Sequence, residues 1–189
     1  VINKIDPQTS ISLPFEKTID GINGGTFNFE LTEMQLAASA DPSSMSPSQL
    51  EAKPESKSTA SLVVKSEILP VKGQFERDYK QEDVGTHWYL LNEAKDDNRK
   101  DVSFDEAAYL YKVKVELVQN KTLKATVDGK WKAYSADGQF AAIRHNGTPR
   151  FENVAIKYDG FDLSLTKQIL STLDDELELD GRQFDFELY

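Results

Sequence analysis

Apolar and polar residues alternate with a period of two over much of this chain, which is the spacing of β-strands. In "GGTFNFELTEMQL", Phe27, Phe29 and Leu31 alternate with polar residues as a half-buried strand does. "SLVVKSEILPVKGQF" holds two short apolar runs broken near Pro70, and "THWYLL" holds another. "AYLYKVKVELV" has the clearest pattern. Tyr109, Tyr111, Val113, Val115 and Leu117 share one face, while Lys112, Lys114 and Glu116 lie on the other, so one side of that sheet is expected to be wet.

Beyond that strand the turn residues become regular. Asp128-Gly129, Asp137-Gly138 and Asn146-Gly147 follow one another at equal spacing, and Asp159-Gly160 closes a further strand, "RFENVAIKY", Arg150 to Tyr158. Each pair suits a tight hairpin, so the pattern predicts an antiparallel meander. A three-residue loop of Val127, Asp128 and Gly129 sets Ala125 opposite Trp131 and Leu123 opposite Ala133, keeping like residues on one face. One segment has a helical period. Leu165, Ile169, Leu170 and Leu173 line one face of "SLTKQILSTL", with Ser164 as N-cap, which predicts a helix over Ser164 to Leu173.

These patterns predict a mainly β, antiparallel domain, a sandwich or strongly curved sheet, with one helix near the C-terminus. Residues 1–189 read as a single domain interrupted by a mobile Ser/Pro-rich loop at 39–61, where large apolar residues nearly vanish. That loop can join two strands of one sheet without marking a domain boundary.

The closing stretch "DDELELDGRQFDFELY", Asp174 to Tyr189, admits three readings. Glu176, Glu178, Asp180, Gly181 and Glu187 match the spacing of a calcium-binding loop, but only two residues follow Glu187 and Gln183 stands where an apolar residue belongs. A hairpin around Asp180-Gly181, or an extension of the helix to Leu177, accounts for the stretch without a metal. In both, Phe184, Phe186 and Leu188 face a core and the acids face out.

Composition narrows the function classes. The 189 residues are 39% hydrophobic and 29% charged, which suits a cored globular chain, and the net charge of −10 disfavours nucleic acid and anionic membrane surfaces. Cysteine is absent, which removes disulfides, thiolate nucleophiles and cysteine metal sites. No apolar run is long enough to span a bilayer. A start at Val1 with no charged and apolar leader suggests a processed or excised piece of an exported parent, hence an extracytoplasmic setting.

No nucleophile elbow, zinc motif, Walker loop or dinucleotide fingerprint occurs, so no catalytic residue, metal or cofactor is expected. His87 and His145 fall in a strand and a turn, far apart in sequence. "EAKDDNRKD", Glu93 to Asp101, mixes acids and bases as a solvated loop does. The aromatic run is more suggestive. His87 and Tyr89 share one face of a strand and Trp88 the other, so unless both faces are covered a ring is left exposed for a binding partner. The resulting expectation is a non-enzymatic module that binds a protein or glycan partner through His87, Trp88 and Tyr89 or through loop tips. Two alternatives stay open: a carrier holding a lipid-like ligand between the helix and a curved sheet, with Phe161, Leu165, Ile169 and Leu173 facing in, and a glycosidase using a carboxylate pair. Asn120-Lys121-Thr122 and Asn146-Gly147-Thr148 match the glycosylation acceptor pattern.

Overall fold

The computed structural model describes residues 6–21, 24–65, 69–119, 122–144 and 146–156. Ten strands form among them: β1 (Gln8–Asp20), β2 (Gly25–Met34), β3 (Ser58–Val64), β4 (Val71–Lys80), β5 (Gly85–Ala94), β6 (Val102–Ser103), β7 (Ala108–Val118), β8 (Thr122–Ala133), β9 (Ala141–Ala142) and β10 (Arg150–Ala155). They make two open sheets, a four-stranded one in the order β4-β1-β10-β6 and a six-stranded one in the order β3-β2-β5-β7-β8-β9. The helix expected over Ser164 to Leu173, and the whole closing stretch, lie outside the described residues.

The sheets face each other across one apolar layer. Leu13, Phe15 and Ile19 from β1, Phe75 and Tyr79 from β4 and Phe151 from β10 pack against Phe27, Phe29, Leu31, Tyr89, Leu91, Tyr109, Tyr111, Val113 and Val115 of the larger sheet. Phe15 lies 4.6 Å from Phe29 between ring centroids and 5.6 Å from Phe75, and Phe151 lies 5.3 Å from Phe29. Rings fill this part of the interior. The mainly antiparallel sandwich is therefore as expected, with one exception: β1 and β10 run parallel, Lys17 beside Phe151 and Ile19 beside Asn153. Strands so far apart in sequence need no hairpin, and the turn pattern could not reveal their direction.

Two features of β1 show how local chemistry permits that arrangement. Pro14 lacks an N–H, yet it pairs only with Gln74 of β4, because the ladder to β10 begins at Glu16. Its carbonyl accepts a hydrogen bond of 2.6 Å from the Tyr111 hydroxyl, and the Glu16 N–H donates to the Pro149 carbonyl at 2.8 Å. Opposite Phe15 stands Gly73, where an added Cβ would meet the ring at 2.6 Å. The ring occupies the space a side chain there would need.

The meander needs correction at its first turn. Asp128-Gly129 makes no hairpin: β8 runs straight through it, pairing Lys112 with Gly129 and Val113 with Val127. Asp128 is the extra residue of a β-bulge, and the Trp131 ring covers Gly129 so closely that a Cβ would sit 2.4 Å from it. Ala125 and Leu123 therefore pair with Val115 and Leu117 across β7, not with Trp131 and Ala133. Asp137-Gly138 does lie in a connection between antiparallel neighbours, β8 and β9.

Residues 39–61 join β2 to β3, which are antiparallel neighbours, so this stretch connects strands of one sheet. It carries 3-10 turns at Pro42–Ser44 and Pro47–Gln49, and residues 58–61 already belong to β3. Leu36, Ala40, Met45 and Leu50 pack over a second cluster of Met34, Trp88, Leu90, Leu110, Ala133 and Phe140. The segment thus covers part of the outer face of the larger sheet, the face expected to be wet.

Candidate functional site

Three polar side chains occupy inward positions of otherwise apolar strands. On β1 the inward series is Leu13, Phe15, Lys17, Ile19; on β5 it is Tyr89, Leu91, Glu93; on β10 it is Phe151, Asn153, Ala155. The Lys17 and Glu93 side chains are 0% exposed and Asn153 is 1% exposed. Parallel pairing of β1 with β10 puts Lys17 and Asn153 diagonally across neighbouring strands, and the facing sheet brings Glu93 over both.

One carboxylate joins the set. Lys17 Nζ donates to Glu93 Oε2 at 3.0 Å, and Asn153 Nδ2 donates to Glu93 Oε1 at 2.9 Å. The Asn153 carbonyl, Oδ1, accepts from the main-chain N–H of Asp105 at 2.7 Å. A main-chain N–H only donates, so this bond fixes which end of the amide is oxygen and points its nitrogen at Glu93. Phe27 closes one side, its ring centroid 5.0 Å from Lys17 Nζ.

Burial dominates the electrostatics. Desolvation lowers the pKa of Lys17 despite the opposing pull of Glu93, and desolvation raises that of Glu93 despite Lys17 and Asn153. Both shifts favour the uncharged forms, an amine with a free electron pair and a carboxylic acid with a proton to give. A nucleophilic nitrogen, an amide carbon and a proton carrier are the parts required for transamidation.

The residues singled out by the aromatic run are placed differently. Trp88 is 1% exposed, beneath residues 36–50, and its indole N–H donates to the Ala37 carbonyl at 3.2 Å. Tyr89 is 2% exposed on the opposite face, and its hydroxyl accepts from Tyr79 at 2.9 Å. Burial pushes Tyr79 up to about 12 and Tyr89 further in the same direction. His87 Nδ1 meets Glu33 Oε1 at 2.8 Å and Nε2 meets the Asp83 carbonyl at 2.7 Å. Both faces of β5 are covered here, so neither the Trp88 nor the Tyr89 ring is presented to solvent. Among the described residues the exposed large aromatic is Tyr134, at 74%. His145 lies outside the described residues. The solvated reading of Glu93 to Asp101 fails at its first residue, because Glu93 continues the inward register of β5; Arg99 and Asp101, further on, do pair at the surface, at 2.8 Å.

The structure is thus a β-sandwich that buries a lysine and an asparagine on adjacent strands, bridged by an acid from the facing sheet. Residues 13–155 match the family described as FctA, Spy0128-like isopeptide containing domain, and the chain belongs to that family. Among solved structures the chain is similar to the major pilin from Streptococcus pyogenes, at 15% identity and a TM-score of 0.41. An asparagine-to-alanine mutant of the same pilin gives 14% identity and a TM-score of 0.44. In both comparisons 76% of this chain and 50% of the pilin are covered, so the chain spans half the length of that protein. No curated protein matches it.

Proposed function

We propose that Lys17 and Asn153 join in an isopeptide bond promoted by Glu93, and that the bond makes this chain a covalently braced structural module of a cell-surface pilus. The observation that carries the proposal is the single buried carboxylate that accepts from both the Lys17 amine and the Asn153 amide. Family membership supports the same reading.

The steps follow from the neutral pair. The Lys17 Nζ electron pair attacks Asn153 Cγ, and the carbonyl electrons move onto Oδ1. Glu93 takes a proton from the Lys17 nitrogen through Oε2 and supplies one to Nδ2, which becomes basic once amide resonance is lost. The carbonyl re-forms, the Cγ–Nδ2 bond breaks, and ammonia leaves. One C–N bond is made and one broken, Glu93 ends as it began, and no oxidant, metal or cofactor takes part. The reaction turns over once, on the protein itself, so it is not enzymatic in the ordinary sense.

Such a bond explains a mechanical role. Lys17 lies on the first strand and Asn153 on the last strand of the described domain, so pulling on the two ends loads β1 and β10 through the cross-link. Residues 18–152 drop out of the load path. Protein partners in this reading are neighbouring subunits of the same polymer, and the setting is extracytoplasmic. Nothing in the site favours a glycan or a lipid-like ligand, and Glu93 is committed to Lys17 and Asn153 instead of to a glycosidase pair.

Intact-mass measurement of the purified chain tests the proposal. The expected result is a mass lower by one ammonia than the sequence requires, restored to the full value in Lys17→Ala, Asn153→Ala and Glu93→Ala. A wild-type protein of full sequence mass would overturn it.

A further inference from the structure

The ladder between β6 and β10 stops early. Ser103 pairs with Val154 and Val102 with Ala155, but the next residues do not continue the pattern. Instead the Asp105 side chain takes over the role of a strand: Oδ2 accepts from the Glu152 N–H at 2.9 Å and Oδ1 accepts from the Ala107 N–H at 2.9 Å. Its own N–H, freed from the ladder, donates at 2.7 Å to Oδ1 of Asn153. Asp105 thus grips the residue next to Asn153 with its carboxylate and the Asn153 carbonyl with its main chain.

We propose that the main-chain N–H of Asp105 is the oxyanion donor of the cross-linking reaction, and that the Asp105 carboxylate is the positioning group that keeps it there. The inference rests on the Lys17–Asn153 reading above. Attack at Cγ places negative charge on Oδ1, and a donor already fixed on that atom stabilises the charge without reorganising. The same bond sets the amide so that the leaving nitrogen, not the oxygen, faces the proton held by Glu93. An amide turned the other way would present its oxygen to the acid and its nitrogen to a donor it cannot use. Burial raises the Glu93 pKa, and the Asp105 charge adds to that shift.

An ester in place of the peptide bond between Phe104 and Asp105 removes this N–H and leaves every side chain intact. Cross-link formation is followed by intact mass at intervals after synthesis, over a range of pH. The ester variant is expected to react about 10²–10³-fold more slowly than wild type, the usual effect of losing one oxyanion donor. Its pH profile should keep the wild-type midpoint, because Lys17 and Glu93 are still dry. A profile whose midpoint moves would mean that the site had merely loosened and admitted water, and would overturn the proposal, as would an unchanged rate. Asp105→Ala and Asp105→Asn provide the second series, which does not depend on the ester folding. Asp105→Ala should be slow and Asp105→Asn, which keeps one acceptor, intermediate; wild-type rates in both contradict the positioning role. The two readings fail separately: a wild-type chain that never loses ammonia removes the cross-link, whereas a cross-linked wild type with an equally fast ester variant removes only the oxyanion donor.

Discussion

Lys17, Glu93 and Asn153 each break an apolar series at an inward position, and this is the feature by which the site could have been found from sequence. Lys17 stands between Phe15 and Ile19, Glu93 follows Tyr89 and Leu91, and Asn153 separates Phe151 from Ala155. Reading "EAKDDNRKD" as one charged loop hid Glu93, because its first residue belongs to the strand before it. Once buried, the three depend on one another. Glu93→Ala strands the Lys17 amine in an apolar layer, whereas Lys17→Met replaces it with an apolar chain of similar length. Lys17→Met leaves Glu93 its bond to Asn153, whereas Glu93→Ala takes from the buried Lys17 amine its acceptor. Glu93→Ala should therefore melt at the lower temperature, since an unsatisfied buried polar group costs about 1–3 kcal/mol. Calorimetry of the two variants checks this.

A second residue-scale prediction concerns His87. Both of its ring nitrogens face acceptors, so the protonated ring can donate to both. The hydrogen bond to Glu33 raises the His87 pKa; burial opposes ionisation of Glu33, but its bonds to His87 and Lys53 leave its pKa below the ordinary value. The His87 contribution is complete below its unfolded pKa of about 6.5 and is lost as pH rises through the higher folded value. That of Glu33 is complete above its unfolded pKa, about 4.3, and is lost as pH falls through the lower folded value. The melting temperature should therefore decline on both sides of that interval, and His87→Gln should flatten the decline on the alkaline side. An unchanged alkaline limb in the variant would show that the ring is neutral.

At the scale of elements, strands whose apolar residues alternate were legible, and their partners were not. β2, β5 and β7 stand where the alternation puts them, but the parallel pairing of β1 with β10 depends on contacts more than a hundred residues apart that no local pattern encodes. Asp128-Gly129 carries the residue types of a tight turn and serves as a bulge, because the Trp131 ring requires a bare backbone beside it. The Ser/Pro-rich segment packs on the larger sheet through contacts that its own composition does not advertise. A few apolar residues, Leu36, Met45 and Leu50, suffice to anchor it when Trp88 and Phe140 offer a surface to receive them. Trp88→Ala should cost about 3–5 kcal/mol, as truncation of a large buried ring does, and should speed proteolysis between residues 36 and 57. Gly73→Val should cost about 1–3 kcal/mol by forcing the Phe15 ring out of its place. Denaturant titration measures both, and a neutral Gly73→Val would mean that the ring has room to move.

For the whole molecule, the proposed cross-link would be an entropic brace as well as a mechanical one. Joining residues 17 and 153 closes a loop of more than a hundred residues, which in the chain-entropy account removes about 5 kcal/mol of freedom from the unfolded state. Asn153→Ala should lose at least that much, visible as a large fall in melting temperature. The β-rich class could be read from alternation, whereas the proposed cross-link could not, because it depends on two sheets bringing three isolated polar residues together.

The most direct test of that convergence is a tryptic digest read by tandem mass spectrometry. An unmodified chain is cut after Lys17 and yields residues 5–17 apart from residues 151–157. If Lys17 and Asn153 are joined, cleavage at Lys17 is blocked, and residues 5–57 appear as one branched species with residues 151–157, lighter than their sum by one ammonia. Fragment ions should place the branch on Lys17 and Asn153. Recovery of peptide 5–17 and an unmodified 151–157 as the sole products would contradict the account.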